Sequence, residues 1–297
     1  MTKTEIGKPQ FAEVNHRFIA AAQTKRPLIA VHRGSPGGSI VENTAFAIEA
    51  ALAEGADIVE IDIIRSTDGE FFVFHNGYER LYFGLERDIR DLSAAEIEEL
   101  QYEDFVQKEV RPWGLEKLST VLEAFPHALI NIDRSWPYWD TLLDYLDGFN
   151  CCDRVILKAP AEAANLETLA KHSTPYPFIP IVKEKGQLEL ALAYKKVNTL
   201  AIEVLATEVG EYFSHREVIA DLRSKGFLVL LNALNLPDRQ NLYLGWDDET
   251  SVLSTPDQGW GKLIDQGADI IQTDWPSLLN RYLEERCQVA AAEEQTD

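Results

Sequence analysis

Short runs of β-forming residues alternate with stretches of helical periodicity from about residue 27 onward, and this alternation constrains the fold more than any other feature. Most of the runs are continuously apolar, as expected of strands that are buried on both faces of a sheet. Strands that alternate with helices indicate a parallel sheet, because each connection must cross over one face. The strand candidates are 28–32, 57–64, 71–75, 128–133, 154–158, 177–182, 199–205, 227–233 and 269–274.

Nine runs are one more than a closed barrel of eight strands requires. Only residues 65–70 separate the second run from the third, which is too short for a parallel crossover. The pair Asp68-Gly69 favours a hairpin turn instead, so we expect Asp62 and His75 at about the same level of a folded-back strand. The remaining runs predict an α/β fold of the TIM (β/α)8 barrel type, with a β-hairpin extension of strand 2.

The sequence divides into three predicted stretches. Residues 1–26 are expected to form an N-terminal helical extension over the bottom of the barrel, 27–283 the barrel itself, and 284–297 an acidic C-terminal tail. Within the barrel, residues 76–117 contain no clear strand but several aromatic residues. We expect this segment to be a loop insertion over the barrel mouth.

The charge balance excludes several kinds of partner. The 297 residues include 49 Asp and Glu against 28 Lys and Arg, which gives a net charge of −21. A nucleic-acid partner would require a basic stripe, and an anionic membrane surface would repel such a chain. No apolar run approaches the roughly 18–20 residues of a transmembrane helix, and the N-terminus lacks the apolar core of a signal peptide. We therefore expect a cytoplasmic protein. The three cysteines fit neither a disulfide framework nor a zinc site.

Three acidic residues fall at strand ends, where barrel enzymes hold their chemistry. Glu60 and Asp62 are two apart on one strand, so both side chains point to the same face, and Asp133 ends a later strand. Neighbouring carboxylates repel unless they are protonated, hydrogen-bonded or bridged by a cation. Their oxygens suit a hard divalent ion such as Mg²⁺ or Ca²⁺. A salt-bridged or solvated group of acids at the barrel rim is the alternative.

Two of the six histidines, His32 and His75, also fall at strand ends. One imidazole can act as the base while the other acts as the acid, which is what displacement at a phosphorus centre requires. Arg33, next to His32, would stabilise charge on the non-bridging oxygens. The other histidines, at positions 16, 127, 172 and 215, are assigned no role.

Two further residues, Trp136 and Glu203, are candidates for the substrate-binding pocket. Trp136 follows Asp133 in a loop at the mouth, where its ring would contact a choline-like head group. Glu203 lies in an apolar strand and would be costly to bury alone. It either reaches the metal, water or substrate hydroxyls, or pairs with Lys158 or Lys183, and we favour the pairing. Residues 246–249 are interpreted as a solvated acidic loop.

The motifs together resemble the glycerophosphodiester phosphodiesterase family. His32-Arg33-Gly34, Glu42-Asn43-Thr44, Glu60-Ile61-Asp62, Thr67-Asp68-Gly69 and His75 are similar in order and spacing to that family's HRG, ENT, ExD, TxDG and HD motifs. Residues 267–276 resemble its closing GxDxIxTDxP. The resemblance spans about residues 28–283.

The resemblance implies a metal-dependent phosphodiesterase that hydrolyses a small-molecule glycerophosphodiester to glycerol 3-phosphate and an alcohol. It implies that His32 and His75 act as acid and base and that Arg33 contacts the phosphate. It also implies that Glu60 and Asp62 are metal ligands. The third ligand in the family is usually the Glu of an NIExK strand, whose place Asp133 takes here.

Three residues depart from the family pattern. Asp133 is one methylene shorter than Glu, Ser135 replaces the family Lys, and His75 is followed by Asn76 instead of Asp. Lys158, at the end of the next strand, is expected to restore the missing cation beside the phosphate.

These departures leave alternatives open. One is a catalytically idle barrel that binds phosphodiesters or a protein partner. Another is a phospholipase-D-like or phosphoinositide-lyase-like variant on the same scaffold. Attack by water and attack by a substrate hydroxyl through a cyclic phosphate are also both open.

Overall fold

A computed structural model of the protein describes residues 6–25, 27–102 and 113–294, excluding the side chains of 290–294. The strands within these ranges are β1 (Leu28–Val31), β2 (Ile58–Arg65), β3 (Phe71–Val73), β4 (Ile130–Asp133), β5 (Val155–Pro160), β6 (Phe178–Val182), β7 (Ala201–Val204), β8 (Leu228–Asn232) and β9 (Ile270–Thr273). Each lies within or overlaps one of the runs predicted from the sequence.

All strands except β3 form a closed parallel barrel. Their order around the sheet is β1-β9-β8-β7-β6-β5-β4-β2, and the pairing of β1 with β2 completes the ring. Every neighbouring pair in this ring is parallel. The predicted TIM barrel is therefore confirmed.

Strand β3 is the predicted hairpin arm. It runs antiparallel to β2, with Ile63 opposite Val73. The N–H of Phe74 donates to the carbonyl of Asp62 at 3.0 Å, so Phe74 lies opposite Asp62. His75 therefore lies one position beyond the level that the sequence predicts for it.

The helices fill the crossovers between the strands. They are α1 (His16–Thr24), α2 (Ala45–Ala53), α3 (Glu79–Phe83), α4 (Ala94–Glu98), α5 (Leu118–Ala124), α6 (Trp139–Asp147), α7 (Ala163–Lys171), α8 (Lys185–Ala193), α9 (Arg216–Ser224), α10 (Asp248–Leu253), α11 (Trp260–Gln266) and α12 (Pro276–Glu294). Because α12 continues to Glu294, most of the expected C-terminal tail is helical. Over the described residues, each helix is too short or too polar to cross a bilayer.

The segment predicted as a loop insertion contains α3, α4 and a 3-10 turn, and its residues 103–112 lie outside the description. Tyr82, Ile89, Ile97 and Tyr102 pack with residues of the β2–β3 hairpin in a small apolar cluster of their own. Ser93 caps α4, where its side chain accepts from the N–H of Glu96 and the Glu96 side chain accepts in return. The insertion is thus a packed cap on the hairpin.

The inward-facing side chains change character along each strand. At the N-terminal ends, residues such as Leu28, Ile58, Ile156, Leu228 and Ile270 form one apolar cluster, against which Phe18 of α1 packs. Because side chains alternate along a strand, the inward positions two and four residues later lie nearer the mouth, and most of them are polar or charged. These inward polar residues are His32, Glu60, Asp62, Asn131, Asp133, Lys158, Glu203, Asn232 and Gln272. The barrel therefore has an apolar floor and a charged mouth.

Candidate active site

Three carboxylates lie on adjacent strands at the barrel mouth. Glu60 and Asp62 belong to β2, and Asp62 pairs in register with Asp133 at the end of β4. Glu60 and Asp62 are 1% and 3% exposed, so their charges are almost fully removed from water. Such burial is tolerated only when hydrogen bonds, cations or protons compensate the charge.

Arg33 compensates part of this charge. Its Nε lies 3.2 Å from Oδ2 of Asp62, and its Nη1 donates to Oε1 of Glu42 at 2.9 Å. Its backbone N–H also donates to Oε2 of Glu60 at 2.9 Å. Although burial opposes ionisation of Asp62, the charge of Arg33 and the hydrogen bond from Asn43 hold its pKa below the usual value. Asp62 is therefore the ionised member of the carboxylate pair.

Asn43 completes the surroundings of Asp62. Its Nδ2 donates to Oδ2 of Asp62 at 3.2 Å, and its Oδ1 accepts from the backbone N–H of Asp62 at 2.9 Å. Both Asn43 and Arg33 have positive φ angles, of 56° and 57°. Residues other than glycine adopt this conformation at a cost of roughly 1–3 kcal/mol, and such residues cluster at functional sites.

Lys158 lies deeper than the phosphate role predicted for it requires. Its Nζ lies 2.8 Å from Oδ2 of Asp133 and 3.4 Å from Oε2 of Glu203, and it donates to Oε1 of Gln272 at 3.3 Å. Burial opposes its charge, but Asp133 and Glu203 outweigh burial and raise its pKa. The placement fits an internal counter-ion for two carboxylates better than a contact with substrate phosphate. Glu203 thus forms the ion pair with Lys158 that we favour from the sequence, and Asn232 binds its other oxygen at 2.8 Å.

His32 is held by an aspartate that has no assigned role in the sequence analysis. Its Nδ1 lies 2.9 Å from Oδ1 of Asp274, which follows β9 directly. Burial opposes a charge on this ring, but the hydrogen bond to Asp274 and the negative charge of that carboxylate outweigh burial and raise the pKa of His32. A carboxylate at Nδ1 leaves Nε2 as the nitrogen that can exchange a proton with a substrate.

A second aspartate, Asp248 of α10, fixes the end of β9. Its Oδ2 accepts from the backbone N–H of Asp274 at 2.8 Å, and its Oδ1 accepts from Thr273 Oγ1 and Trp260 Nε1, each at 2.7 Å. Asp248 is 1% exposed, so the interpretation of this residue as part of a solvated loop is wrong. Burial raises its pKa to about 7 despite the three donors.

Replacing Asp248 by alanine should destabilise the fold. The change leaves three buried donors on Trp260, Thr273 and Asp274 without their acceptor, and we expect a loss of about 3 kcal/mol in the free energy of unfolding. Chemical denaturation measures this loss. The exposed neighbour Glu249 provides the control, because Glu249→Ala should change stability by no more than about 0.5 kcal/mol. Equal effects of the two substitutions would contradict a stabilising role for the three hydrogen bonds that Asp248 accepts.

His75 has the opposite electrostatic environment from His32. Nη1 of Arg134 lies 3.0 Å from its Nε2, and Tyr78 packs edge-on at 4.9 Å between ring centroids. Burial, followed by the positive charges of Arg33 and Arg134, lowers the pKa of His75 to about 4 although Asp62 opposes the shift. The surroundings of the two histidines therefore shift their pKa values in opposite directions, upward for His32 and downward for His75.

Glu60 is the carboxylate with the least compensation. Burial and the negative charge of Asp62 raise its pKa to about 8. Among the described residues, Asp62 pairs with Arg33, Asp133 and Glu203 share Lys158, and the side chain of Glu60 forms no ion pair. The carboxylate oxygens of Glu60, Asp62 and Asp133 are donors of the kind that a hard divalent cation binds.

The spacing of these acids is wider than that of a closed metal site. Within the described ranges, the group whose ligand atoms lie within 4.8 Å of one another is Asp144, Asp147 and His172, not Glu60, Asp62 and Asp133. That group joins the C-terminal ends of α6 and α7, which lie away from the barrel mouth. Ion binding at the mouth would therefore draw its three carboxylates closer together.

A cavity of about 660 Å³ opens on the His32 side of the mouth. Its lining includes the charged residues His32, Arg33 and Asp274 together with the apolar Leu236 and Trp275. Trp136, predicted to line the pocket, packs partly against the main apolar core instead, and no contact with the cavity is recorded for it. A group bound beside His32 would thus meet Trp275.

Sequence comparison finds a relative that is similar over most of the chain. The chain is 31% identical over 282 residues to lysophospholipase D GDPD1 of Homo sapiens, covering 85% of this chain and 84% of the human protein. A shorter match is 42% identical over 65 residues to glycerophosphodiester phosphodiesterase GDPD6 of Arabidopsis thaliana, and it covers 22% of this chain and 17% of that protein. Residues 176–283 also match DUF4996, described as a domain of unknown function.

Solved structures share the fold. A glycerophosphoryl diester phosphodiesterase from Parabacteroides distasonis superposes with a TM-score of 0.71 at 19% identity, covering 88% of this chain and 87% of that one. A phosphodiesterase from Oleispira antarctica in complex with the product sn-glycerol-3-phosphate superposes with a TM-score of 0.63 at 17% identity. The match covers 89% of this chain and 99% of that one. The similarity to the human protein over most of both chains identifies this chain as a phosphodiester hydrolase of the glycerophosphodiester phosphodiesterase family, and the solved structures share its fold.

Proposed function

We propose that this protein hydrolyses glycerophosphodiesters to glycerol 3-phosphate and an alcohol, with His75 as general base and His32 as general acid. Support comes above all from the opposite environments of the two rings. His32 contacts the carboxylate of Asp274 at 2.9 Å, whereas His75 contacts the guanidinium of Arg134 at 3.0 Å. A carboxylate favours the imidazolium and a guanidinium favours the neutral ring, so an acid and a base are present together at one pH.

The proton steps follow from these states. Nε2 of His75 removes a proton from the nucleophile, and the oxygen of that nucleophile adds to phosphorus. If the nucleophile is a substrate hydroxyl, water must afterwards open the cyclic phosphate to give glycerol 3-phosphate. The bond from phosphorus to the departing oxygen then breaks, and His32 donates a proton to that oxygen. The cavity beside His32 would receive the departing alcohol. Arg33 lines the same cavity as His32 and would bind a non-bridging oxygen as negative charge develops.

Glu60, Asp62 and Asp133 would hold the divalent cation, Mg²⁺ or Ca²⁺. When bound, the ion would polarise the phosphoryl group and neutralise charge on its oxygens. The high pKa of Glu60 supports this assignment, because a buried carboxyl that resists ionisation gains most from a nearby cation. Lys158, whose Nζ lies 2.8 Å from Oδ2 of Asp133, would orient that carboxylate.

A lysophospholipid is a second candidate substrate, because the human relative is named a lysophospholipase D. The cavity beside His32 favours this candidate in one respect. Pro36, Leu236, Pro237, Trp275 and Leu278 give it apolar walls that could accept the start of an acyl chain or a choline group.

The proposed function is tested by hydrolysis of glycerophosphocholine, glycerophosphoethanolamine, lysophosphatidylcholine and bis(p-nitrophenyl) phosphate, each with and without EDTA. We expect glycerol 3-phosphate from the first two substrates, loss of turnover in EDTA, and recovery with Mg²⁺ or Ca²⁺. Full activity in EDTA would contradict the metal requirement. Turnover of none of these diesters by a protein that binds the cation would favour the idle barrel.

The pH dependence of kcat/KM should be bell-shaped. His75 must be neutral to act as base, so activity is lost as the pH falls through its pKa of about 4. His32 must be protonated to act as acid, so activity is lost as the pH rises through its raised pKa. Asp274→Asn removes the carboxylate that raises this pKa, and its basic limb should therefore move to lower pH. An unchanged basic limb in this variant would contradict His32 as the acid.

A further inference from the structure

Arg134 is a cation at the barrel mouth that the reaction scheme above leaves without a role toward substrate. It follows Asp133 at the end of β4 and has a φ of 50°, in the left-handed region. Its backbone N–H donates to Oδ1 of Asp133 at 2.7 Å. The left-handed conformation costs an arginine roughly 1–2 kcal/mol relative to an ordinary backbone, so some compensating interaction is expected.

The guanidinium of Arg134 differs from the other cations of the mouth in its pairing. Arg33 is paired with Glu42 and Asp62, and Lys158 with Asp133 and Glu203. Arg134 is exposed, and among the described residues no carboxylate forms an ion pair with its side chain. A free guanidinium beside a catalytic histidine has the charge and the donors that a phosphodiester anion requires.

The contact with His75 fixes the state of that ring. A guanidinium can only donate hydrogen bonds, so Nε2 of His75 must accept through its lone pair at the observed 3.0 Å. In the neutral ring the proton is then on Nδ1, which is buried and has no hydrogen-bond partner among the described residues. The lone pair that the base needs is therefore occupied by Arg134.

We propose that Arg134 binds a non-bridging oxygen of the substrate phosphodiester, and that it covers the Nε2 lone pair of His75 until substrate arrives. The inference rests on the proposed function. A phosphate oxygen carries negative charge and the neutral ring of His75 does not, so Coulomb attraction favours the phosphate in the competition for Arg134. Transfer of the guanidinium to the phosphate frees Nε2 to accept the proton of the nucleophile. The base is thus uncovered only when a phosphodiester is in place.

Binding of glycerol 3-phosphate measured by calorimetry tests the contact without requiring turnover. The main variant is Arg134→Gly, because glycine is compatible with the left-handed backbone and should fold at least as well as the wild type. We expect its dissociation constant to rise about 10- to 100-fold, the range for loss of a charge-assisted hydrogen bond. Arg134→Lys should recover part of the loss. Arg80→Ala, at an exposed arginine of α3 that pairs with Glu86, is the control and should bind as the wild type does.

Two results would overturn the inference. The first is wild-type affinity for glycerol 3-phosphate in Arg134→Gly. The second is an unchanged ¹⁵N resonance of His75 Nε2 between the free wild type and free Arg134→Gly, because loss of a donated hydrogen bond should move it. Absence of diester turnover in the wild type would instead count against the proposed function, while the binding assay would still report on Arg134. Normal diester turnover by the wild type, together with unaltered glycerol 3-phosphate binding by Arg134→Gly, would contradict the inference about Arg134 and leave the proposed function standing.

Discussion

Replacing His32 by alanine is expected to lower kcat/KM for glycerophosphocholine by about 10²- to 10⁴-fold, the usual contribution of a general acid or base. The physical reason is that the departing alkoxide is strongly basic and needs the proton that His32 holds next to Asp274. With bis(p-nitrophenyl) phosphate the same variant should lose much less, because p-nitrophenolate leaves without being protonated. Parallel kinetics on the two substrates measure this difference.

His75→Ala gives the contrasting result. Its proposed partner is the attacking nucleophile, which for bis(p-nitrophenyl) phosphate must be water. The proton of the nucleophile must be removed whichever group departs, so both substrates should suffer a similar loss. His215→Ala is the matched control, because that ring is 48% exposed, pairs with Glu217 and does not contact either proposed catalytic histidine. Equal losses for His32→Ala on both substrates would contradict the acid role. A loss below tenfold for either histidine variant with glycerophosphocholine would contradict proton transfer by that residue.

Replacing Lys158 by methionine is expected to lower the free energy of unfolding by about 3–5 kcal/mol, the typical effect of removing one partner from a buried ion pair. The substitution nearly preserves volume and leaves Asp133 and Glu203 buried without their shared cation. Chemical denaturation at neutral pH measures the loss. Added Mg²⁺ or Ca²⁺ should recover part of it, because an ion held by the neighbouring carboxylates would supply positive charge.

Lys171→Met is the control for this substitution. Lys171 lies on α7, is 77% exposed and pairs with Glu167 one helical turn away, so its removal should change stability by no more than about 0.5 kcal/mol. If Lys158→Met were as stable as the wild type in the absence of a divalent ion, Lys158 would not be the counter-ion of the barrel interior.

The barrel itself could be predicted from the sequence because its determinants are local. Continuous apolar runs mark strands buried on both faces, and the short spacing between β2 and β3 excludes a crossover. The same locality identifies Glu60 and Asp62 as inward neighbours, since the period of a strand is two. His32 and His75 could be selected because each lies at the C-terminal end of its strand.

The residues that sequence analysis missed depend on contacts between distant parts of the chain. Asp274 is separated from His32 by 242 positions, and its only sequence signal is its place in the TDxP motif after the last strand. Asp248 looks like one of several acids in a polar segment until β9 is placed beside α10. Arg134 is predicted to follow a strand, but its left-handed backbone and its contact with His75 have no pattern in the sequence.

The role of Lys158 depends on how deeply its side chain is buried in the barrel. Its position at a strand end predicts an inward cation, and the structure confirms that much. Whether such a cation faces the substrate or the barrel interior depends on the neighbouring strands, which here place Asp133, Glu203 and Gln272 around its Nζ. The phosphate-facing cation beside β4 is Arg134 in our proposal, two residues after Ile132 on the same strand end.

The central claim is that His32 and His75 together carry the hydrolysis of a glycerophosphodiester. The most direct test follows glycerophosphocholine by ³¹P NMR with the wild type and with the double variant His32→Ala/His75→Ala, at equal concentration and with saturating Mg²⁺ or Ca²⁺. We predict that the wild type converts the diester to glycerol 3-phosphate and that the double variant forms no detectable product on the same timescale. Formation of glycerol 3-phosphate at the wild-type rate by the double variant would contradict the claim, as would failure of the wild type to consume the diester.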